Sequence, residues 1–253
     1  MSGLLGDYSR QAETYDTTRS ASPSVLAPLR LALEGAPGRG LLDVGGGTGN
    51  YALALRYEGW DPLVLDRSAA MLERARAKGL RTLEADAQSL PLPDGAADAA
   101  IAVHMLHHVD DQPRALAELR RVLRPGGRLA IVFYAHEDLE SLWLSDYFPS
   151  TREWMRRSHP PVADVLAHLP GARRLRVVFE DLQDASLVAL AGRPELLLED
   201  RWRRQTSYFE RMERDHPDEL RAGLDRLRAD IEAGHPPRGR GEATVLAWTK
   251  AAG

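Results

Sequence analysis

The sequence predicts an α/β fold, a doubly wound and mostly parallel sheet, because short apolar runs alternate with helical patterns from Gly40 to Tyr134. Alternation of that kind means βαβ units with right-handed crossovers. Two further features agree. One apolar run, Leu41-Leu-Asp-Val44, passes straight into a glycine cluster, and Ala97–Val103 is small and apolar almost throughout, as a strand buried on both faces requires.

The elements follow in order. Ser24–Leu33 reads as a helical lead-in, punctuated by Gly35-Ala-Pro-Gly38. Leu41–Val44 is the first strand, Asn50–Tyr57 a helix and Pro62–Asp66 the second strand. Ser68 suits the N-cap of a helix reaching Lys78, with Gly79 at its C-terminus. Leu80–Glu84 and Ala97–Val103 are the third and fourth strands, Pro113–Leu123 a helix ended by Arg124-Pro-Gly-Gly127, and Arg128–Tyr134 the fifth strand. After Tyr134 the pattern loosens into an aromatic, irregular stretch holding Trp143, Tyr147, Phe148 and Trp154. A helix at Val162–Leu169, a sixth strand at Leu175–Phe179, a charge-dense helical region over 185–233, a loop at 236–241 and a closing strand at Ala243–Thr249 complete the reading. The chain then divides into a helical cap (1–39), a core (40–135), a lid region carrying the sixth strand (136–241) and a closing strand (242–253).

Composition removes several functions. Without cysteine the chain builds no thiolate nucleophile, cysteine-ligated zinc or iron–sulfur cluster. A net charge of −4 speaks against general affinity for nucleic acid phosphates. No apolar run has the length of a membrane span or a signal peptide, so the expectation is a cytoplasmic protein with no membrane partner. The 33 basic residues include only two lysines, Lys78 and Lys250, a choice that a genome rich in G and C explains.

Chemistry concentrates at strand ends. Three spaced glycines, Gly45, Gly47 and Gly49, stand where an open α/β sheet binds ligands. A dinucleotide fingerprint would place its third glycine at position 50, which is Asn50. Acidic residues close the next two strands, Asp66 and Glu84-Ala-Asp86, and an acid at the end of the second strand can accept both hydroxyls of a ribose.

The order Asp43-x-Gly-x-Gly-x-Gly49, Asp66, Asp86-Ala87, Leu90-Pro-Leu-Pro-Asp94 and Asp98 through His108 resembles the class I S-adenosylmethionine-dependent methyltransferases, the ubiquinone and menaquinone C-methyltransferase type being the nearest. Leu119 to Arg128 is similar to that family's turn into its fifth strand, and Tyr15-Asp16 with Arg19 to the motif preceding its core. The likeness covers Tyr8 to Tyr134 well and the remainder in outline. It implies a Rossmann-like, seven-stranded sheet with an antiparallel last strand and a helical lid insertion. It also implies S-adenosyl-L-methionine as cofactor, S-adenosyl-L-homocysteine as product and a small-molecule substrate.

Carried over by position, the resemblance puts Asp43 and the loop Gly45, Gly46, Gly47 around the methionine portion. Asp66 takes the ribose, Arg67 and Met71 border the adenine, and Asp86 with the Ala87 backbone binds the adenine amino group. His104 lies between cofactor and substrate, Tyr15 and Arg19 close over the cofactor, and Tyr134 and His136 meet the substrate. Many relatives carry cysteine or alanine where Gly46 stands.

Each residue also admits a plainer role: Asp43 as loop support, Asp86 as a cap, Met71 as packing, Tyr15 and Arg19 as a surface helix face. The His104, His107, His108 cluster has helix-face spacing for a metal, yet this family stretch commonly holds histidines without one, so no metal is expected. His107 or His108 is the candidate catalytic base, which would show as a pH–rate inflection between about pH 6 and 8; packing is the alternative. The aromatics beyond Tyr134 either wall a pocket or form the lid's own core. Lack of cysteine excludes cytosine C5 methylation, and Ser158-His-Pro-Pro-Val162 lacks both ends of the signature of amino-methylating nucleic acid enzymes, which leaves small molecules. Two other functions compete: a cofactor-binding protein of this fold with other or no catalysis, and a nicotinamide-dependent oxidoreductase.

Overall fold

A computed structural model describes residues 16, 19–140, 142–183, 186–204, 206–239 and 241–252. Helix α1 (Pro23–Leu33) leads into β1 (Gly40–Val44), α2 (Asn50–Tyr57), β2 (Asp61–Asp66), α3 (Ala69–Ala77), β3 (Arg81–Glu84) and β4 (Ala97–Val103). A 3-10 turn at Leu106–His108 precedes α4 (Gln112–Arg121) and β5 (Leu123–Phe133). Four short helices follow, α5 (His136–Glu140), α6 (Leu144–Tyr147), α7 (Thr151–Ser158) and α8 (Val162–His168), and then β6 (Arg173–Val178). Three more, α9 (Leu187–Ala191), α10 (Asp200–Arg203) and α11 (Ser207–Asp215), lead to the long α12 (Pro217–Glu232) and β7 (Glu242–Thr249).

The seven strands lie in the order β3-β2-β1-β4-β5-β7-β6. β1 to β5 pair in parallel, and β7 runs antiparallel between β5 and β6. This is the predicted doubly wound, Rossmann-like class. Two apolar clusters follow from strand alternation. Leu41, Ile101, Ala130 and Val132 face α1 and the lid helices, whereas Leu42, Val44, Ala100, Leu129 and Ile131 face α4 and α8.

The helix starts are chemically determined. Ser68 Oγ accepts from the Met71 N–H at 3.4 Å and Asp111 Oδ1 from the Arg114 N–H at 3.0 Å, each satisfying an orphan donor of a first turn. Gly49 caps α2 in the left-handed region at φ 74°, where a Cβ would stand 2.4 Å from Leu80 Cδ1.

Two expectations change. β5 begins at Leu123, not Arg128, because Leu123 pairs with Ala97 while Arg128 pairs with Ala99. Residues 124–127 therefore bulge out of the ladder, with Gly126 at φ 78°. The stretch read as irregular after Tyr134 holds α5, α6 and α7, the first two only about one turn long and too short to show a helical period. Among the described residues no helix is long and apolar enough to cross a membrane.

Candidate active site

The strand order reverses between β1 and β4, so the carboxyl ends of β1, β2 and β4 border one crevice. A cleft enclosing about 1140 Å³ of empty space, open at its mouth, occupies it. Its walls bring together most of the residues picked out in the sequence: Asp43, Gly45, Gly46 and Gly47 from β1 and its loop, Asp66 at the end of β2 with Arg67 and Met71 beyond it, Asp86 and Ala87 after β3, and His104 and His108 after β4. Arg19 closes the far side; Tyr15 lies outside the described residues.

The glycine loop is held by its own amides. Gly45 N–H and Gly46 N–H both donate to Leu65 O at 2.7 and 3.1 Å, and Gly49 N–H donates to Gly46 O at 2.8 Å. Gly47 N–H donates to Asp66 Oδ2 at 2.9 Å. Asp66 Oδ1 accepts from Ser68 N–H at 2.9 Å, so this carboxylate braces the loop and the start of α3 together. At Gly47 a Cβ would meet nothing within 4 Å, so its backbone faces open space.

Asp43 is buried beneath the loop, and its Oδ2 has no partner. Burial pushes its carboxyl up to about 7; a backbone hydrogen bond from Ala52 opposes this and the Asp66 charge adds to it. A Cβ on Gly46 would lie 2.5 Å from Asp43 Cγ, so glycine at 46 is what leaves room for this carboxylate. Asp86 is tied locally instead. Its Oδ1 accepts from the Gln88 backbone at 2.8 Å, and that bond holds its carboxyl below the usual range against a small burial effect. The bond closes a local turn rather than capping a helix, since none follows before β4, and it leaves Asp86 on the cleft wall.

β4 ends in strain. His104 has φ 54°, alone among the described non-glycine residues in lying at positive φ. That costs on the order of 1–3 kcal/mol and is characteristic of functional sites. The turn seats Met105 under Gly45, where a Cβ would come within 2.7 Å of Met105 Cβ. His104 stacks on Tyr134, centroids 4.5 Å apart.

A second cavity adjoins the first and shares Arg19, His104 and His108 with it. Tyr134, His107, His159, Trp154 and Tyr208 supply its aromatic walls. His107 stacks on His159 at 4.8 Å and lies 3.8 Å from the His108 ring. Burial, reinforced by the neighbouring imidazoles, holds His107 well below its ordinary range, His108 at about 3 and His159 at about 4. These rings face each other rather than converge on a point, and no group of three described metal-ligating side chains has the geometry to hold an ion. His136 lines neither cavity: its Nε2 meets Glu140 Oε1 at 2.9 Å, one turn along α5. The lid aromatics divide, Trp154 and Tyr208 walling the cavity while Trp143, Phe148 and Phe209 pack in the core.

Several residues the sequence reading passed over belong here. His159 comes from α7's end, some fifty positions from its stacking partner, and nothing local announces it. Gln88 bridges Asp86 to the Asp111 N–H. Asn50, noticed only as a missing glycine, donates to Asp16 Oδ1 at 3.1 Å and to Arg19 O at 2.7 Å.

Comparison with known proteins supplies context for this geometry. A family model described as a methyltransferase domain matches residues 42–131. The chain is 46% identical to a demethylmenaquinone methyltransferase of Thermus thermophilus over 40% of its length and 50% of the relative's. It is 35% identical to a malonyl-[acyl-carrier protein] O-methyltransferase of Serratia marcescens over 53% and 54%. It thus spans about half the length of the curated relatives it matches. Among solved structures, a chain from Anabaena variabilis described as a methyltransferase of an antibiotic biosynthesis pathway superposes with a TM-score of 0.76, covering 91% of this chain and 98% of that one at 24% identity. At that identity the likeness speaks to the fold.

Proposed function

Residues 42–131 belong to the class I S-adenosylmethionine-dependent methyltransferase family, and from that premise we propose that the whole chain is an enzyme transferring a methyl group from S-adenosylmethionine to a small-molecule acceptor, by O-, N- or C-methylation. The observation that carries this reading over a nicotinamide enzyme is the state of the glycine loop. The amides of Gly45, Gly46, Gly47 and Gly49 are all committed within the protein, so none of these four is free to cradle a pyrophosphate. What the cleft offers instead is carboxylate: the buried, half-partnered Asp43, then Asp66 and Asp86. A cofactor bearing an ammonium, a ribose and an adenine fits that donor set, whereas two phosphates would meet like charge.

In this reading Asp43 Oδ2 holds the ammonium and Asp66, whose oxygens each keep a second acceptor site, takes the ribose hydroxyls. Asp86, Ala87, Arg67 and Met71 bound the adenine. Bound there, S-adenosylmethionine supplies an electrophilic methyl group on a sulfonium. The strained His104 and its stacked partner Tyr134 stand at the junction with the second cavity, where they fix the acceptor's approach and exclude water. Alignment of two reactants supplies about 7–11 kcal/mol. His107 and His108 are weak bases, since burial disfavours the charged imidazolium that accepting a proton would create. We assign them to packing the acceptor cavity.

Calorimetric titration with S-adenosylmethionine, S-adenosylhomocysteine and NADH tests the cofactor. Micromolar binding of the first two and none of NADH is expected; NADH binding alone would overturn the reading. The pH–rate profile tests the histidines. No inflection attributable to His107 or His108 is expected between about pH 5 and 8. An inflection that His108→Ala or His107→Ala removes would restore them as base. The cell compartment that suits this reading is the cytoplasm.

A further inference from the structure

In a chain that otherwise uses arginine for its basic residues, both lysines bind converging oxygens. Lys250 Nζ donates to Leu123 O at 2.6 Å and Arg121 O at 3.3 Å. Lys78, at the end of α3, donates to Asn50 Oδ1 at 2.6 Å, Asp16 Oδ1 at 2.8 Å, Thr48 O at 3.0 Å and Thr48 Oγ1 at 3.1 Å. Four acceptors around one nitrogen suit a compact ammonium with three rotatable donors. A guanidinium spreads its donors outward in one plane and does not fit four acceptors that converge on one point.

The cup joins two parts of the chain. Thr48 and Asn50 belong to the glycine loop and the start of α2; Asp16 belongs to the N-terminal segment. Asp16 also accepts from Thr48 Oγ1 at 2.6 Å and Asn50 Nδ2 at 3.1 Å, and Asn50 Nδ2 reaches Arg19 O at 2.7 Å. Burial raises the Asp16 carboxyl, yet the hydrogen bonds from Lys78 and Thr48 carry it below its ordinary value, so it is a carboxylate throughout the neutral range. Arg19, three residues on, lines both cavities. The joint is thus the described link between the loop that bounds the cofactor cleft and the segment that closes it.

We propose that Lys78 is a positioning residue for the transfer reaction: its ammonium pins the Asp16–Arg19 segment to the glycine loop, and through Arg19 it sets how well both cofactor and acceptor are held. Lys78 lines neither cavity, so its effect runs entirely through Asp16, Thr48 and Asn50. The inference rests on the methyltransferase reading for the cofactor's identity, but the pin itself is a statement about the protein's own chain.

The test uses Lys78→Met, Lys78→Arg and Asp16→Asn in the full chain, with three measurements. Calorimetry with S-adenosylhomocysteine is expected to show at least tenfold weaker binding in Lys78→Met, and Lys78→Arg is expected not to restore it. Trypsin cleavage after Arg19 is expected to accelerate at least tenfold in all three variants, with or without cofactor. In a double-mutant cycle, Asp16→Asn adds little to Lys78→Met, because the two groups share one interaction. If Lys78→Met does not fold, Asp16→Asn alone carries the test, since Asp16 lies outside the sheet and both apolar clusters. Unchanged affinity and unchanged cleavage in Asp16→Asn or Lys78→Met would overturn the proposal, as would full rescue by arginine. A wild-type chain that binds no S-adenosylhomocysteine, while its variants are still cut faster after Arg19, would leave the pin standing and remove the cofactor reading instead.

Discussion

Asp43→Asn is expected to cost S-adenosylmethionine affinity roughly 10- to 150-fold at pH 8, the worth of a hydrogen bond to a charged group, while leaving the free protein at least as stable as before. The two effects share one cause. Asp43 is buried with one oxygen lacking a partner, and burial, helped by the Asp66 charge, lifts its carboxyl to about 7. A carboxylate whose pKa is higher folded than unfolded lowers stability as pH rises from about 4 to 7, because over that range the folded state retains the proton that the unfolded chain has lost. By pH 8 the penalty is on the order of 4 kcal/mol, and the asparagine does not incur it. Binding has the opposite slope. An ammonium needs the ionised form, so in the wild type the dissociation constant rises as pH falls below about 7, up to tenfold per unit. Calorimetry and thermal melts from pH 5.5 to 8.5 measure both. Affinity that ignores pH in the wild type, or an asparagine variant much less stable at pH 8, would remove Asp43 from this role.

Asp66→Ala is expected to weaken the same ligand at least tenfold by a different route. Both its oxygens brace backbone amides, Gly47 N–H and Ser68 N–H, so alanine loosens the loop and the start of α3 besides losing the ribose. Fragments separate the two acids. Adenosine competition should suffer in Asp66→Ala and survive in Asp43→Asn, whereas competition by methionine should show the reverse. If both variants lose both fragments equally, the loop has collapsed and the assignment of each acid to one half of the cofactor fails.

How far the sequence discloses the site depends on distance along the chain. Asp43 and Asp66 stand in the last residues of their strands, and Asp86 and His104 just past theirs, so their positions at one sheet edge could be inferred. His136 was expected at the acceptor because it follows the fifth strand, but one turn of α5 brings Glu140 to its ring, an attraction as local as the one that suggested it. His159 and Lys78 reach their partners across 52 and 28 to 62 residues, and no periodicity encodes contacts of that span. The bulge at residues 124–127 hid the start of β5 because a Pro-Gly-Gly run reads as a turn whether it ends a strand or interrupts one.

The antiparallel strand between β5 and β6 gives the sheet an order in time as well as in space. Every strand that borders the main cleft has left the ribosome once residue 133 has emerged, whereas β6 ends at residue 178 and its neighbour β7 begins only at residue 242. At typical synthesis rates, on the order of 3–13 seconds separate the two. Throughout that interval β5 exposes an unpaired edge and β6 has no strand beside it, which is the arrangement most prone to pairing with another nascent chain. The newborn protein thus has the parallel half of its sheet assembled before the antiparallel half can close, and the hazard ends only when eight residues slide between two waiting edges.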